Sequence, residues 1–277
     1  MTRDRHAYAA AGLTAALWGL TGIFVRLLPP FAPEVVTAGR LAVALAVALP
    51  LLALSSGGRQ AMRNALGHPL AYLLALLLAG YYLLATAAFQ LAPVAEVALL
   101  LSTPPLFVLV YRSLSGDRPA RHELAGALLA VAGMTVILAP RLDLSHAVAD
   151  ARLTGDGLAI GAAALTAGYA WLYRGLAQRS TAPGSLGVTF LTFLLGSIAL
   201  AGPVIAGGVG GDLVADSGQL SLLLGLGVLC TAIPSLGFAY ASRRLAPVAT
   251  ASISLFIPLF AALFAHLVLH VSMPIQN

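Results

Sequence analysis

Nine long apolar runs, parted by short polar or turn-forming breaks, make up most of the chain. They cover 7–28, 33–54, 69–90, 93–113, 120–139, 156–178, 185–206, 218–242 and 246–270. A helix needs ~20 mainly apolar residues to cross a bilayer, and each run is about that long. Membrane-spanning strands would be about half this length and strictly alternating, so they are excluded. The breaks carry Pro29-Pro30, Ser55-Ser56-Gly57-Gly58, Ala92-Pro93, Gly116-Asp117-Arg118-Pro119, the polar stretch 141–156, Ala182-Pro183-Gly184, Gly207-Gly208 through Asp216, and Arg243-Arg244. Connections this short make consecutive helices antiparallel neighbours. The pattern therefore predicts an all-α integral membrane protein of about nine transmembrane helices.

Composition agrees. Of 277 residues 60% are apolar and only 9% charged, with mean hydropathy +0.93. Soluble domains carry roughly 25% charged residues. The net charge of +5 is the excess of 15 arginines over 10 acidic residues, and there is no lysine. A basic balance can mark a nucleic-acid binder, but these arginines sit in short breaks between apolar runs, so nucleic acid is not an expected partner. With the N-terminus in the cytoplasm, eleven arginines fall on the inner side: Arg3, Arg5, Arg59, Arg63, Arg112, Arg118, Arg121, Arg174, Arg179, Arg243 and Arg244. Four remain for the outer side: Arg26, Arg40, Arg141 and Arg152. That asymmetry predicts a multi-pass protein of the cell inner membrane with a cytoplasmic N-terminus. The first run is too long for a signal-peptide core and is followed by Leu27-Leu28-Pro29-Pro30 rather than a cleavage site, so it reads as an uncleaved helix. The single cysteine, Cys230, excludes an internal disulfide and a cysteine metal site.

An internal repeat runs through the sequence. Leu91-Ala92-Pro93-Val94-Ala95 returns as Leu245-Ala246-Pro247-Val248-Ala249, and Pro104 returns as Pro258 at the same offset of 154 residues. The unit is five helices, and an odd number of spans forces the second copy to enter the membrane from the other side. Inverted repeats of this kind characterise transporters. The reading divides the chain into a first repeat at 1–140, an outer connecting loop at 141–155 and a second repeat at 156–277.

The chain resembles the drug/metabolite transporter superfamily in its EamA-type branch. The resemblance rests on Ala15-Ala16-Leu17-Trp18-Gly19, on Ala38-Gly39-Arg40-Leu41, on the proline-bearing fourth and ninth helices, and on the Gly126–Gly133 stretch of helix five. It implies ten helices in two inverted five-helix repeats, and export of amino acids, other metabolites or drugs. The ninth helix is followed only by Val271–Asn277, so the tenth has no counterpart; the reading favours truncation over a nine-helix variant.

Embedded polar residues carry the functional candidates, because each is costly unless satisfied. Arg40 lies ~10 Å into helix two. It could hold a substrate carboxylate; the rival reading, given more weight, is a structural role, either snorkelling outward or pairing with Glu34 or Glu96. Trp18, Tyr81, Tyr82, Thr103, Tyr169, Trp171 and Ser254 are read as lining a mid-membrane cavity, with ordinary core packing as the alternative for each. Pro104, Pro105 and Pro258 are read as bend points that free the carbonyls near Leu100 and Ser254. Glu96 and His266 are the possible proton-coupling groups. Glu96 has no acidic partner in the second repeat on this reading, and its repeat equivalent is Thr250, so tight coupling through a mid-membrane carboxylate is not expected. His266 and His270 share a helix face, but no metal motif follows. Nucleophile elbows, phosphate loops and dinucleotide fingerprints are absent. The expectation is a secondary transporter of a small metabolite, with the lipid bilayer and a small-molecule substrate as partners and no cofactor. An intramembrane enzyme or a non-transporting scaffold are the rival classes.

Overall fold

The computed structural model describes residues 2–28, 31–54, 56–116, 119–138, 146–207 and 216–269. These residues form helices and no strands. In chain order the helices are α1 Thr2–Gly19, α2 Thr21–Leu27, α3 Pro33–Leu54, α4 Ser56–Leu66, α5 Pro69–Leu91, α6 Val94–Leu100, α7 Pro104–Leu114, α8 Arg121–Leu138, α9 His146–Gln178, α10 Ser185–Gly207, α11 Ser217–Gly227, α12 Ile233–Arg244, α13 Pro247–Ile253 and α14 Ile257–Leu269. Six stretches among the described residues are long and apolar enough to cross a membrane: Arg5–Leu27, Pro33–Leu54, Pro69–Leu91, Glu96–Leu114, Ser185–Gly202 and Ser217–Arg244. α8 follows the same apolar pattern after a first turn holding Arg121, His122 and Glu123. Leucines, valines and isoleucines such as Leu76, Val110, Leu128, Leu129, Val136, Ile198 and Leu263 face outward. On a soluble protein so much exposed apolar surface would drive aggregation; here it faces lipid tails.

Several windows turn out to be composite. The fourth is broken between α6 and α7, where Pro104 and Pro105 follow Thr103. The ninth contains a 3-10 turn, Ser254–Phe256, just before Pro258. The eighth runs through a π-helical turn, Val228–Ala232. The sixth starts at His146, ten residues before its apolar run, so the polar stretch is helical wherever it is described. α4 is an amphipathic helix inside the second break, and its Arg59 Nη1 caps α3 by donating to the Ala53 carbonyl at 2.6 Å.

The halves interlock rather than lie side by side. α5 packs on α9, and α1 packs on α12. Under the 154-residue repeat these two contacts are counterparts. α3 packs on α10, which is its own counterpart, and α6 and α7 meet α14 and α13. The packing therefore has an approximate two-fold relation between the halves, with the core at their junction. Small residues make the close crossings possible. A Cβ on Gly187 of α10 would strike the Ala61 carbonyl of α4 and approach the Ala65 Cβ to 2.6 Å.

Overpacking of this kind costs about 1–3 kcal/mol. Gly187→Ala should therefore lower the thermal midpoint of the purified protein. Gly157→Ala, where an added Cβ meets nothing within 4 Å, should leave it unchanged or raise it. Parallel melting of the two variants in the same detergent checks the contrast.

Candidate functional site

A proline, a π turn and one buried cation meet at the centre of the bundle. Pro234 opens α12 and has no N–H, so the carbonyl four residues back, Cys230 O, loses its helical partner. The π turn ending at Ala232 widens the backbone at that point. Arg40 of α3 fills the gap. Its Nη2 donates to Cys230 O at 2.9 Å, its Nε to Thr231 Oγ1 at 2.7 Å, and its Nη1 to Thr86 Oγ1 of α5 at 3.2 Å. The guanidinium carbon lies 4.6 Å from the centroid of the Tyr82 ring. Each acceptor is itself held: Thr231 Oγ1 donates to Leu226 O, and Thr86 Oγ1 to Tyr82 O. Tyr82 reaches across to Ser235 Oγ at 2.6 Å. Arg40 is fully buried, and no carboxylate among the described residues pairs with it. It neither snorkels outward nor pairs with Glu34 or Glu96, the two structural alternatives that the sequence suggested.

The predicted cavity residues fall into three groups. Trp18, Tyr81, Tyr82 and Tyr169 come together with Phe238 and Tyr173 as one buried aromatic cluster. Trp18 lies 5.0 Å from both Tyr81 and Phe238, and Tyr169 stacks on Phe238 at 5.3 Å. The rings enclose little space: the gap beside Trp18, Thr14, Phe238 and Thr250 holds about 10 Å³. Thr103 is buried apart from them, and its hydroxyl donates to the Leu100 carbonyl at 2.7 Å. The carbonyl that Pro104 frees is thus satisfied locally. Trp171 reaches an open cavity of about 600 Å³ with Arg112, Glu123, Arg174, Arg179 and Pro247. This cavity lies between α7 and α8 of the first half and α9 and α13 of the second. Arg174 Nη1 donates to the Arg244 carbonyl at 2.7 Å, and Arg112 pairs with Glu123 at 2.7 Å. The side chains of Ser254 and His266 lie outside the described residues, as do His270, Arg141, Asp143 and Asp212 entirely.

Sequence reasoning missed two features. Pro234 was unmarked although it follows the same rule as Pro104 and Pro258. Glu96 was read as lacking an acidic partner in the second repeat; Asp156 of α9 brings its carboxyl within hydrogen-bonding reach of it. Arg152, one turn earlier on α9, pairs with Glu96 Oε2 at 2.7 Å. The sixth window began at Asp156 and left Arg152 in a loop, which hid the shared face.

A protein-family model described as the EamA-like transporter family matches residues 6–139 and 153–277. No curated protein matches. Among sixteen matching solved chains, one described only as "Crystal structure of protein" is 22% identical with a TM-score of 0.69. The match covers 97% of this chain and 90% of that one. At that identity the likeness shows a shared fold.

Leaving three buried acceptors without their donor is expensive, at about 1–3 kcal/mol each. Arg40→Ala should therefore cut the yield of monodisperse protein sharply. Arg40→Lys should not restore it, because lysine lacks the planar fork. Pro234→Ala returns an N–H to the helix and should make the Arg40–Cys230 contact dispensable. A double-mutant cycle of Pro234→Ala with Arg40→Ala, read by thermal stability, should give a coupling above about 0.5 kcal/mol.

Proposed function

The chain belongs to the EamA-like transporter family, whose members move small molecules across membranes, and from this we propose that it is a secondary transporter exporting a small metabolite such as an amino acid. The observation that carries the reading is the unequal state of the two ends. At one end the halves part around the cavity of about 600 Å³ that Trp171 lines. At the other they are tied by Arg152 to Glu96 at 2.7 Å, beside the close crossing of Gly155 on Ala92. Between the two lies the ring cluster of Trp18, Tyr81, Tyr82, Tyr169 and Phe238. One open and one closed end is the arrangement that alternating access between two inverted repeats requires.

On this reading the substrate enters beside Trp171 and moves toward the ring cluster, which must part to admit it. Arg40 holds the cluster in place. The arginines at the mouth, Arg112, Arg174 and Arg179, favour a substrate with a carboxylate, since guanidinium groups pair with carboxylates through two parallel hydrogen bonds. Thr103 and Ser254 stand beside the breaks in the fourth and ninth windows. Pro104, Pro105 and Pro258 serve as the bends about which those segments rock. The open mouth faces the cytoplasm of the inner membrane, consistent with the arginine asymmetry.

The test is counterflow in proteoliposomes with a panel of labelled amino acids. At least one should exchange, and Trp171→Ala should reduce its flux about tenfold, the equivalent of ~1.4 kcal/mol of lost interaction. Monodisperse protein that exchanges no member of the panel and binds none overturns the proposal. Orientation is tested separately with Gln60→Cys in a Cys230→Ala background. An impermeant maleimide should label that cysteine in inside-out vesicles and not in right-side-out ones.

A further inference from the structure

Opposite the open cavity, α9 and α6 bring three charged groups together. Arg152 and Asp156 are one turn apart on α9 and so share a face. That face meets the entry to α6 very closely. A Cβ on Gly155 would come within 2.8 Å of the Ala92 Cβ and 3.0 Å of the Leu91 Cβ. The approach puts Glu96 beside both residues. Arg152 Nε and Nη2 reach Glu96 Oε2 at 2.9 and 2.7 Å. The Asp156 carboxyl lies within hydrogen-bonding reach of Glu96. Glu96 is only 3% exposed. Its Oε1 and Asp156 Oδ1 are both buried, and no N–H or O–H donates to either.

Among the described residues no second cation pairs with these two carboxyl groups. Arg26 of α2 spends Nη2 on the Ala92 carbonyl and makes no ion pair among the described residues. α5 offers Gln90, which is neutral and donates to the Phe31 carbonyl. Asp150 of α9 is exposed. α8 keeps Arg121 and Glu123 at the opposite end, where Glu123 meets Arg112. The titratable residue of α14 is His266, whose side chain is not described. Two carboxyl groups thus lie beside one guanidinium, and each keeps a buried oxygen that receives no donor. Two carboxylates sharing a site cannot both ionise cheaply, and a carboxylic acid supplies the donor that the gap lacks.

We propose that Glu96, Asp156 and Arg152 form a proton-binding site that couples closure of the α6–α9 joint to a proton. With the proton bound, one carboxylic acid donates its O–H to the other carboxylate, Arg152 pairs with that carboxylate, and the site is neutral overall. Asp156 is half-buried and gives the proton its way to water. When it leaves, two carboxylates remain against one guanidinium, the net charge becomes −1, and their repulsion loosens the joint. The proton belongs to the pair rather than to either residue. Binding stands on this geometry alone; coupling to solute movement rests on the transport reading above.

Infrared spectra of the full chain in lipid vesicles, titrated with pH, read the site without any substrate. As the pH falls from about 8 to about 6 the wild-type protein should gain the carbonyl stretch of a protonated carboxylic acid. Glu96→Gln and Asp156→Asn should each lose that band. Its absence from the wild type, or its survival in both variants, overturns the proposal, and the wild-type spectrum decides even if one variant fails to fold. A second arm imposes a pH gradient on vesicles carrying whichever panel amino acid exchanges. The wild type should accumulate it uphill, while Asp156→Asn should exchange it without accumulation. A variant that still accumulates like the wild type overturns the coupling. A band without flux of any amino acid sinks the transport reading and leaves the proton site standing; flux without a band does the reverse.

Discussion

A single guanidinium, fully buried and paired with no carboxylate among the described residues, sets the terms for the rest of this bundle. Stripping an arginine of water is costly, and the cost is tolerable only when its donors find acceptors. The acceptors here are not incidental. Pro234 withholds an N–H and so releases the Cys230 carbonyl, the π turn presents Thr231, and Thr86 comes from a third helix. Arg40 therefore requires α3, α5 and the α11–α12 segment to meet at one point. A helical flaw on one half and a misplaced charge on the other each relieve the penalty of the other. Because α3 and α5 belong to the first half and α11–α12 to the second, the bond set also fixes the relation between the halves.

Around that centre the two ends behave differently. At the arginine-rich end the halves diverge, and polar side chains line the opening. At the other they converge on a glycine crossing, with Glu96 buried in the joint against Arg152. The ring cluster between them is apolar in bulk yet carries hydroxyls, including the buried Tyr169 hydroxyl with no hydrogen-bond partner. An unpaired hydroxyl in a dry core is a standing cost, and a polar ligand would remove it.

How much of this was legible beforehand depended on the kind of signal. The spans could be read because hydrophobic length is set by the bilayer and needs no tertiary context. The interruption at Pro104 could be read because proline acts on its own backbone. The destination of the freed carbonyl could not: Thr103 satisfies Leu100 within the same turn, whereas Arg40 satisfies Cys230 from more than a hundred residues away. Arg40 stood out in the sequence, but its partners there were sought among acids, and the fold supplied hydroxyls and a carbonyl instead. Glu96 was missed as one of a pair because Arg152 and Asp156 straddled the boundary drawn between loop and helix. Periodicity locates a helix better than it locates its end.

α9 runs without a break over its 33 residues, about 50 Å at ~1.5 Å per residue. Among the segments against it, α6–α7 and α13–α14 are interrupted, while α5 is not. Asp156 near one end and Arg174 near the other are thus fixed to a single stiff rod, roughly 27 Å apart along its axis. Such a rod works as a lever: a tilt of about 10° about Asp156 displaces Arg174, roughly 27 Å away, by ~5 Å, close to one helical turn. A change of charge at the Glu96 joint would need no relay of side chains to be felt at Trp171. It would be delivered mechanically, as torque, by a helix with no break to absorb it.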